Sequence, residues 1–432
     1  MNDSLNNKIS NLNCLRNDNT SNSTKKNFDK KTIKSFVSKI NNNIKNTIIG
    51  LIKKKPIDVK INNKFERTKK IRKPGVDMVR ILGMLAIIIH HLLVHGQAIR
   101  KFKHIFLQYI NIFSFWHVSS FALISGVVGY KTSKYSNLMY LWLCAVFYHV
   151  IIHYLYLKYD KKHKINEITF QDFLPVLFYK YWYFTAYFGM YLLLPIVTKG
   201  LSYLTKVELK LFIITSLGIY IIYKDSLNPQ SDTFVLKNGY SSLWLTIFFI
   251  TGSYIGKYNS VCSNKIKKVL LCSICIIIYI LSSLLCCKLS FYTLKPANNL
   301  KYKILLILKR IFVQRISSFP MILQSISVTV FCLQISYNKF IGKIICFLGP
   351  LTFGVYLIHE HPLVRANFIR NLFSQYSQNL AIKKVIYLVF KKSILIFLTC
   401  SLIDFIRKII FDILRIKTLL IFIEKKIFNL FK

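Results

Sequence analysis

Acidic residues are scarce in this chain: Asp and Glu number 16 among 432 residues, against 61 Lys and Arg. So few carboxylates argue against a metal site, and against the paired intramembrane carboxylates of a proton-coupled transporter. The ten cysteines are scattered and fall mostly inside apolar stretches, so no disulfide framework is expected. The N-terminus lacks a leading apolar run, so we expect no cleavable signal and an uncleaved first span. What remains abundant is hydrophobic residues.

Hydrophobic residues make up 53% of the chain, and its mean hydropathy is +0.41. Apolar runs recur at a length of ~20 residues, which a helix needs to cross the hydrocarbon core. The runs show no two-residue alternation, which excludes a membrane β-barrel. The sequence therefore predicts an all-α fold, a polytopic transmembrane helical bundle of about ten spans in a lipid bilayer. The predicted spans are 78–97, 109–129, 137–157, 183–199, 209–223, 241–257, 268–288, 317–335, 342–360 and 385–404.

The formal net charge of +45 lies mostly between the apolar runs, where basic residues face anionic lipid headgroups. We therefore expect no nucleic-acid partner. Residues 1–74 are rich in Asn and Lys and predict a disordered basic extension. Basic residues crowd the start of the first span, which places the N-terminus in the cytosol by the positive-inside rule. Residues 75–405 form the predicted membrane domain, and 406–432 an amphipathic basic tail on the membrane surface.

The first span carries ionisable side chains within a continuous apolar stretch. Arg80 stands at its entrance, and His90, His91 and His95 stand near its far end. Eleven residues are close to three helical turns, so Arg80 and His91 project to within ~20° of each other, ~16 Å apart along the axis. His90 lies ~100° round the helix from His91. Ionisable groups in a span indicate function, and this pair predicts a hydrophilic passage beside the helix.

Several interpretations of these residues are open. His91 and His95 have the i, i+4 spacing that lets imidazoles share a metal or a proton. The shortage of further ligands favours acid–base chemistry at His91 over a metal. Helix packing is the alternative role for all three histidines. Arg80 can bind a phosphate or reach to the headgroups, and Asp77 is placed for an i, i+3 ion pair with it.

Three further segments combine aromatic, small and ionisable residues. Close helix packing through Gly126 and its neighbours, and an aromatic belt at the membrane interface, explain the first two without chemistry. The third ends with His359, Glu360 and His361 together, which a belt does not require. The segments are Phe113 to Gly129, Tyr181 to Pro195, and Leu351 to Pro362 with Arg365.

Taken together, these motifs resemble the acyltransferase-3 family of multispanning membrane O-acyltransferases. The resemblance covers about 72–405 and is carried by four segments in the family's order. The most specific feature is a histidine eleven residues after an arginine on the first span. The carrying segments are Asp77-Met-Val-Arg80 to His95-Gly96, Phe115-Trp-His to Ser125-Gly126, Tyr181-Trp-Tyr to Pro195, and Thr352 to His359.

The resemblance implies transfer of a short acyl group, acetyl in the first instance, from acyl-CoA to a hydroxyl of a glycan or similar acceptor. Arg80 would bind the donor phosphates and His91 would take the hydroxyl proton, either directly or through a covalent acyl-histidine. His359 and Tyr356 are further candidate catalytic residues, which would orient the acceptor or the thioester carbonyl. Substrate binding is assigned to His95, Ser125, Trp182 and Tyr187. Acyl-CoA is the expected donor and no metal is expected; a proton-coupled transporter using the intramembrane histidines is the alternative.

Overall fold

The computed structural model describes residues 72–131, 134–159, 168–222, 232, 234–258, 262–291, 300–312 and 315–430. The chain divides into two units, Met1–Lys70 and Ile71–Lys432. The first unit, and with it nearly all of the predicted disordered extension, lies outside the described residues. The described helices all belong to the second unit.

Helices account for the regular structure of the described ranges, which contain no strand. The all-α prediction is therefore confirmed. The helices are α1 Pro74–Val94, α2 Ala98–Phe102, α3 Ile105–Ser114, α4 His117–Gly129, α5 Tyr135–Tyr159, α6 Trp182–Tyr203, α7 Lys206–Ile222, α8 Ser242–Tyr258, α9 Lys265–Phe291, α10 Leu300–Phe312, α11 Phe319–Gln334, α12 Lys339–Leu348, α13 Thr352–His359, α14 Ile382–Ile413 and α15 Ile416–Leu430.

Each of the ten predicted spans overlaps one or two of these helices, but the count of ten is not confirmed. Six segments of the described chain are long and apolar enough to cross a membrane. Two of the six are composite: α3 and α4 join at Phe115 and Trp116, and α12 joins α13 through a 3₁₀ turn, Gly349–Leu351. The six are Pro74–Val94, Ile105–Gly129, Tyr135–Tyr159, Trp182–Tyr203, Lys265–Phe291 and Lys339–His359.

Helix α1 lies at the centre of the bundle, in contact with α3, α4, α11, α12, α13 and α14. Pro74 at its first turn fits the fixed backbone angle that a helix start requires, and Asp77 there complements the helix dipole. Ile88, Leu92 and Leu93 are completely buried. The central position means that polar side chains on α1 face other helices rather than lipid.

Glycines let α4 and α8 approach closely. A Cβ atom at Gly126 would overlap the carbonyl oxygen of Phe249, and one at Gly252 would overlap that of Leu123. Small residues are what membrane helices use to bring backbones together, because lipid offers no hydrophobic drive for association. The packing role that the sequence indicates for Gly126 is therefore what the structure shows.

A buried ion pair joins α14 to α5. The Arg407 guanidinium donates to both carboxylate oxygens of Asp404, from Nε at 2.8 Å and from Nη2 at 2.9 Å. The Tyr148 hydroxyl donates to Asp404 at 2.8 Å, and Arg407 also donates to the Tyr140 hydroxyl at 2.9 Å. Because every charged group has a partner of opposite charge and further hydrogen bonds, the pair is tolerated in an apolar setting.

Candidate functional site

His91 lies beside a carboxylate that comes from a distant part of the chain. Its Nδ1 is 2.9 Å from Oε1 of Glu360, the residue that follows α13. The contact is a close polar approach rather than a well-aligned hydrogen bond. The other Glu360 oxygen accepts from Nη1 of Arg365 at 3.2 Å. Arg365, Glu360 and His91 thus form a chain of ionisable groups, in which the carboxylate can hold one imidazole nitrogen and leave the other for a substrate.

Two more histidines surround this pair. The ring centroid of His359 is 5.4 Å from that of His91, and His95 is 5.2 Å away on the other side. His359 Nδ1 lies 2.6 Å from the carbonyl oxygen of Val355, which accepts its proton, and Nε2 is buried with no hydrogen-bond partner among the described residues. His95 caps the end of α1 and is exposed. The predicted residues His91, His95 and His359 are therefore neighbours.

His90 belongs to a different environment. Its Nδ1 is 2.7 Å from the side-chain oxygen of Asn111, and its ring packs edge-on against Phe115 at 4.9 Å. The buried imidazole of His117 lies 5.8 Å from it. These contacts are with α3, the turn after it and the start of α4, so His90 packs against those elements while His91 faces Glu360.

At the opposite end of α1, three charged residues form a cluster. Arg80 and Arg72 both donate to the carboxylate of Asp77, which is 1% exposed, and the Arg72 contact is 3.0 Å long. Two guanidinium groups on one carboxylate leave an excess positive charge. The predicted ion pair between Asp77 and Arg80 is present, and Arg80 keeps part of its side chain accessible.

Ser125 and Tyr187 are brought together by α4 and α6. The two hydroxyl oxygens are 3.2 Å apart, and Arg80 is close enough to Tyr187 to interact electrostatically. Both residues therefore lie towards the Arg80 end of α1 and away from His91. Trp182 packs against Tyr240, with ring centroids 4.5 Å apart, and edge-on against Tyr183 at 5.5 Å.

A row of aromatic rings connects the two ends. Ring centroids are 6.3 Å apart between Tyr187 and Tyr183, 6.2 Å between Tyr183 and Tyr356, and 6.4 Å between Tyr356 and His359. The hydroxyls of Tyr183 and Tyr356 are buried near backbone groups of Ala122 and Phe184, respectively, and neither makes a well-aligned hydrogen bond within the described residues. Buried polar atoms are rarely left unpaired, so these hydroxyls indicate a place where water or a ligand can bind.

A large cavity of about 860 Å³ lies elsewhere along α1. Leu82, Leu85 and Ile89 line it, on the face of α1 roughly opposite to Arg80 and His91. Its walls are almost wholly apolar and also include α3, α9 and α14. This cavity is therefore not the hydrophilic passage that the sequence predicts.

Two groups of side chains in the described ranges have the composition of metal ligands. One consists of His91, His359 and Glu360, and the other of His149, His153 and Asp172. In the first, Arg365 already pairs with the carboxylate and would repel a cation. In the second, burial alone would raise the pKa of Asp172, but hydrogen bonds from Thr169 and His149 lower it overall. Asp172 is thus an anion at neutral pH.

The family model described as an acyltransferase domain, that of the acyltransferase-3 family, matches residues 73–404. The chain belongs to this family. Comparisons with curated proteins and with solved structures gave no match. The family and the six apolar segments together make the protein an integral membrane acyltransferase.

Sequence reasoning missed two residues of the candidate site. Glu360 and Arg365 stand out in the sequence only as members of an ionisable cluster, without a role. The signal was the run His359-Glu360-His361 directly after an apolar helix, where charge is costly. The run did not reveal that Glu360 faces His91, because nothing local to either helix specifies the other.

Proposed function

We propose that this acyltransferase transfers a short acyl group, acetyl in the first instance, from acyl-CoA to a hydroxyl of a glycan or a similar acceptor. The observation that carries the proposal is the contact of His91 with Glu360 at 2.9 Å, at one end of a helix whose other end presents Arg80. A base and an anion-binding group are the two parts that such a transfer needs.

His91 acts as the general base. With Nδ1 held by Glu360, Nε2 takes the proton of the acceptor hydroxyl as its oxygen attacks the thioester carbonyl. The carbon–sulfur bond then breaks, and the imidazolium returns the proton to the leaving thiolate. Glu360 stabilises the imidazolium during the step, and Arg365 keeps the carboxylate in place. Base catalysis of this kind contributes typically ~10²–10⁴-fold.

Arg80 binds the phosphates of the donor. Guanidinium pairs bidentately with phosphate, and the excess positive charge of the Arg72, Asp77 and Arg80 cluster suits a polyanion. The cluster lies at the start of α1, which the positive-inside rule places on the cytosolic side, where acyl-CoA is found.

The long arm of the donor bridges the gap between the two ends. Arg80 and His91 lie on one uninterrupted helix, ~16 Å apart along its axis. The row of Tyr187, Tyr183 and Tyr356 runs beside part of this gap and offers buried hydroxyls to the amide groups of a pantetheine chain. Both features support a common passage for the donor.

The test uses the full chain purified in detergent or lipid nanodiscs, radiolabelled acetyl-CoA and a panel of glycan acceptors. Wild type should transfer label to at least one acceptor, and H91Q should lose the activity. H90Q is the matched control, because it changes the adjacent imidazole that contacts Asn111 instead. Size-exclusion profiles establish that each variant is folded.

Several outcomes would count against the proposal. Failure of wild type to transfer label from acetyl-CoA or longer acyl-CoA to any hydroxyl acceptor would remove the stated reaction. Full activity of H91Q would show that His91 is not the general base, without contradicting the proposed reaction. Histidine-dependent proton flux without acyl transfer would favour the transporter alternative instead.

A further inference from the structure

A second polar cluster lies apart from His91 and Glu360. His149 and His153 stand one helical turn apart near the end of α5, and Asp172 lies on the following 3₁₀ helix, Phe170–Phe173. Nε2 of His149 is 3.1 Å from Oδ1 of Asp172, and Nδ1 of His153 is 3.5 Å from the same oxygen. The proposed acyl-transfer step uses none of these residues.

The spacing of the three atoms suits a metal ion. Four ligands bonded to zinc at ~2.0–2.1 Å in a tetrahedron lie ~3.3–3.4 Å from one another. The two measured separations bracket that value, and all three ligand atoms lie within 4.8 Å of one another. The third separation, between the two imidazole nitrogens, is no more than 4.8 Å, so the imidazoles would have to move towards each other to occupy three of the four tetrahedral positions.

Asp172 is held ready for this role by its own loop. Its Oδ2 accepts from the backbone N–H of Thr169 at 2.8 Å and from the Thr169 hydroxyl at 3.0 Å. These bonds fix the carboxylate and leave Oδ1 towards the imidazoles. Metal-binding carboxylates commonly have such a hydrogen bond on the oxygen that does not ligate.

The side chains of this cluster are largely buried. The side chains of His149, His153 and Asp172 are 4%, 13% and 7% exposed. A fourth histidine, His361, packs on His149 with ring centroids 4.8 Å apart, and its buried Nε2 makes no well-aligned hydrogen bond within the described part of the chain. Its Nδ1 accepts from the backbone of Leu363, so Nε2 carries the proton, faces the backbone of His149 and does not itself ligate. Burying several polar side chains this close together costs free energy unless each of them binds a hydrogen-bond partner or an ion.

We propose that His149, His153 and Asp172 bind one divalent transition-metal ion, zinc in the first instance, with water as the fourth ligand. Two imidazoles and a carboxylate are a ligand set that zinc uses in sites with an open position. Lys180, which interacts electrostatically with His149, is the neighbouring positive charge that the ion must tolerate. The ion would tie α5 to the loop before α6, which contains Tyr181 against both His149 and Tyr356.

The test measures metal binding by the full chain in detergent after treatment with a chelator. The probes are Zn²⁺, quantified by mass spectrometry after dialysis, and Co²⁺, read from the visible absorption of a tetrahedral or five-coordinate ion. We expect about one equivalent per chain in wild type. H153Q and D172N should lose it, with affinity lowered roughly tenfold or more. H104Q and H91Q should keep it.

The metal-binding test has several outcomes that would contradict the proposed site. Absence of a stoichiometric cobalt spectrum in wild type overturns the proposal, and so does a spectrum lost in H91Q but kept in H153Q, which would place the ion at the other histidine group. A strong near-ultraviolet thiolate band would assign the ion to cysteines instead. Should D172N fail to fold because its loop loses a cap, H153Q carries the test alone, since His153 lies on the α5 surface of the cluster. None of these readouts depends on acyl transfer.

Discussion

Removing the charge of Glu360 tests the catalytic arrangement most directly. E360Q keeps the size and shape of the side chain but presents a neutral amide to Nδ1 of His91, 2.9 Å away, and to Arg365, 3.2 Å away. The variant therefore removes the stabilisation of the imidazolium that forms during proton transfer. We expect the variant to bind donor normally, because Glu360 lies at the far end of α1 from Arg80.

The size of the effect follows from the geometry. Unit charges 2.9 Å apart interact by about 6 kcal/mol at an effective dielectric constant of about 20, which is an upper limit for the stabilisation. A loss of about 3–5 kcal/mol in the transition state lowers kcat by ~10²–10⁴-fold. The double variant H91Q/E360Q should have a kcat no lower than that of H91Q alone, because the two residues act together in the same proton transfer.

The assay is steady-state transfer of radiolabel from acetyl-CoA, with kcat and KM for the donor determined separately. E208Q is the matched control, since Glu208 is exposed on α7 and contacts only Thr205 by side-chain hydrogen bonds. A kcat of E360Q within threefold of wild type, or a loss in the double variant equal to the product of both single losses, would refute the role given to Glu360.

Three further changes probe the rest of the molecule. R80A should raise KM for acyl-CoA roughly tenfold or more with a smaller change in kcat, as measured in the same assay, because it removes a phosphate contact. R407M should lower the stability of the folded protein by about 3–5 kcal/mol, seen as a lower thermal unfolding midpoint in detergent, because it leaves Asp404 buried and unpaired. G354A should lower kcat by roughly 10–100-fold with donor KM nearly unchanged, because its Cβ would overlap the Asp404 carboxylate and displace α13.

The helices could be predicted from hydropathy, because hydropathy depends only on residues that are close together in the sequence. Each apolar run became helical because lipid leaves the backbone no other way to pair its polar groups. The interruptions were not predicted: the turn at Phe115 and Trp116, and the 3₁₀ turn Gly349–Leu351, divide segments that hydropathy treats as single spans. Hydropathy also ends the last span near residue 404, whereas α14 runs on to Ile413, because Asp404 and Arg407 neutralise each other.

The site was predictable only in part, for a comparable reason. The relation of Arg80 to His91 follows from the period of a single helix, so the sequence contains it in full. The contact of His91 with Glu360 depends on how two distant helices pack, and no periodicity encodes that. The i, i+4 spacing of His149 and His153 is likewise visible in the sequence. Their shared partner Asp172 lies on a separate turn, so its contact with them could not be predicted. The expectation of no metal rested on the number of carboxylates, which does not tell where each of them lies in the fold.

The position of Glu360 relative to His91 is set by two contacts that lie away from both. A Cβ atom at Gly349 would overlap the side chain of Asp77 on α1, and one at Gly354 would overlap that of Asp404 on α14. Each aspartate is itself fixed by arginine, so the segment leading to Glu360 rests against two rigid charged groups rather than against flexible aliphatic chains. Asp77 is also the residue that holds Arg80. The same carboxylate therefore ties the donor-binding end of α1 to the segment that delivers Glu360. A substitution of Asp77 itself should displace the base partner as well as weaken donor binding, whereas R80A leaves Asp77 held by Arg72.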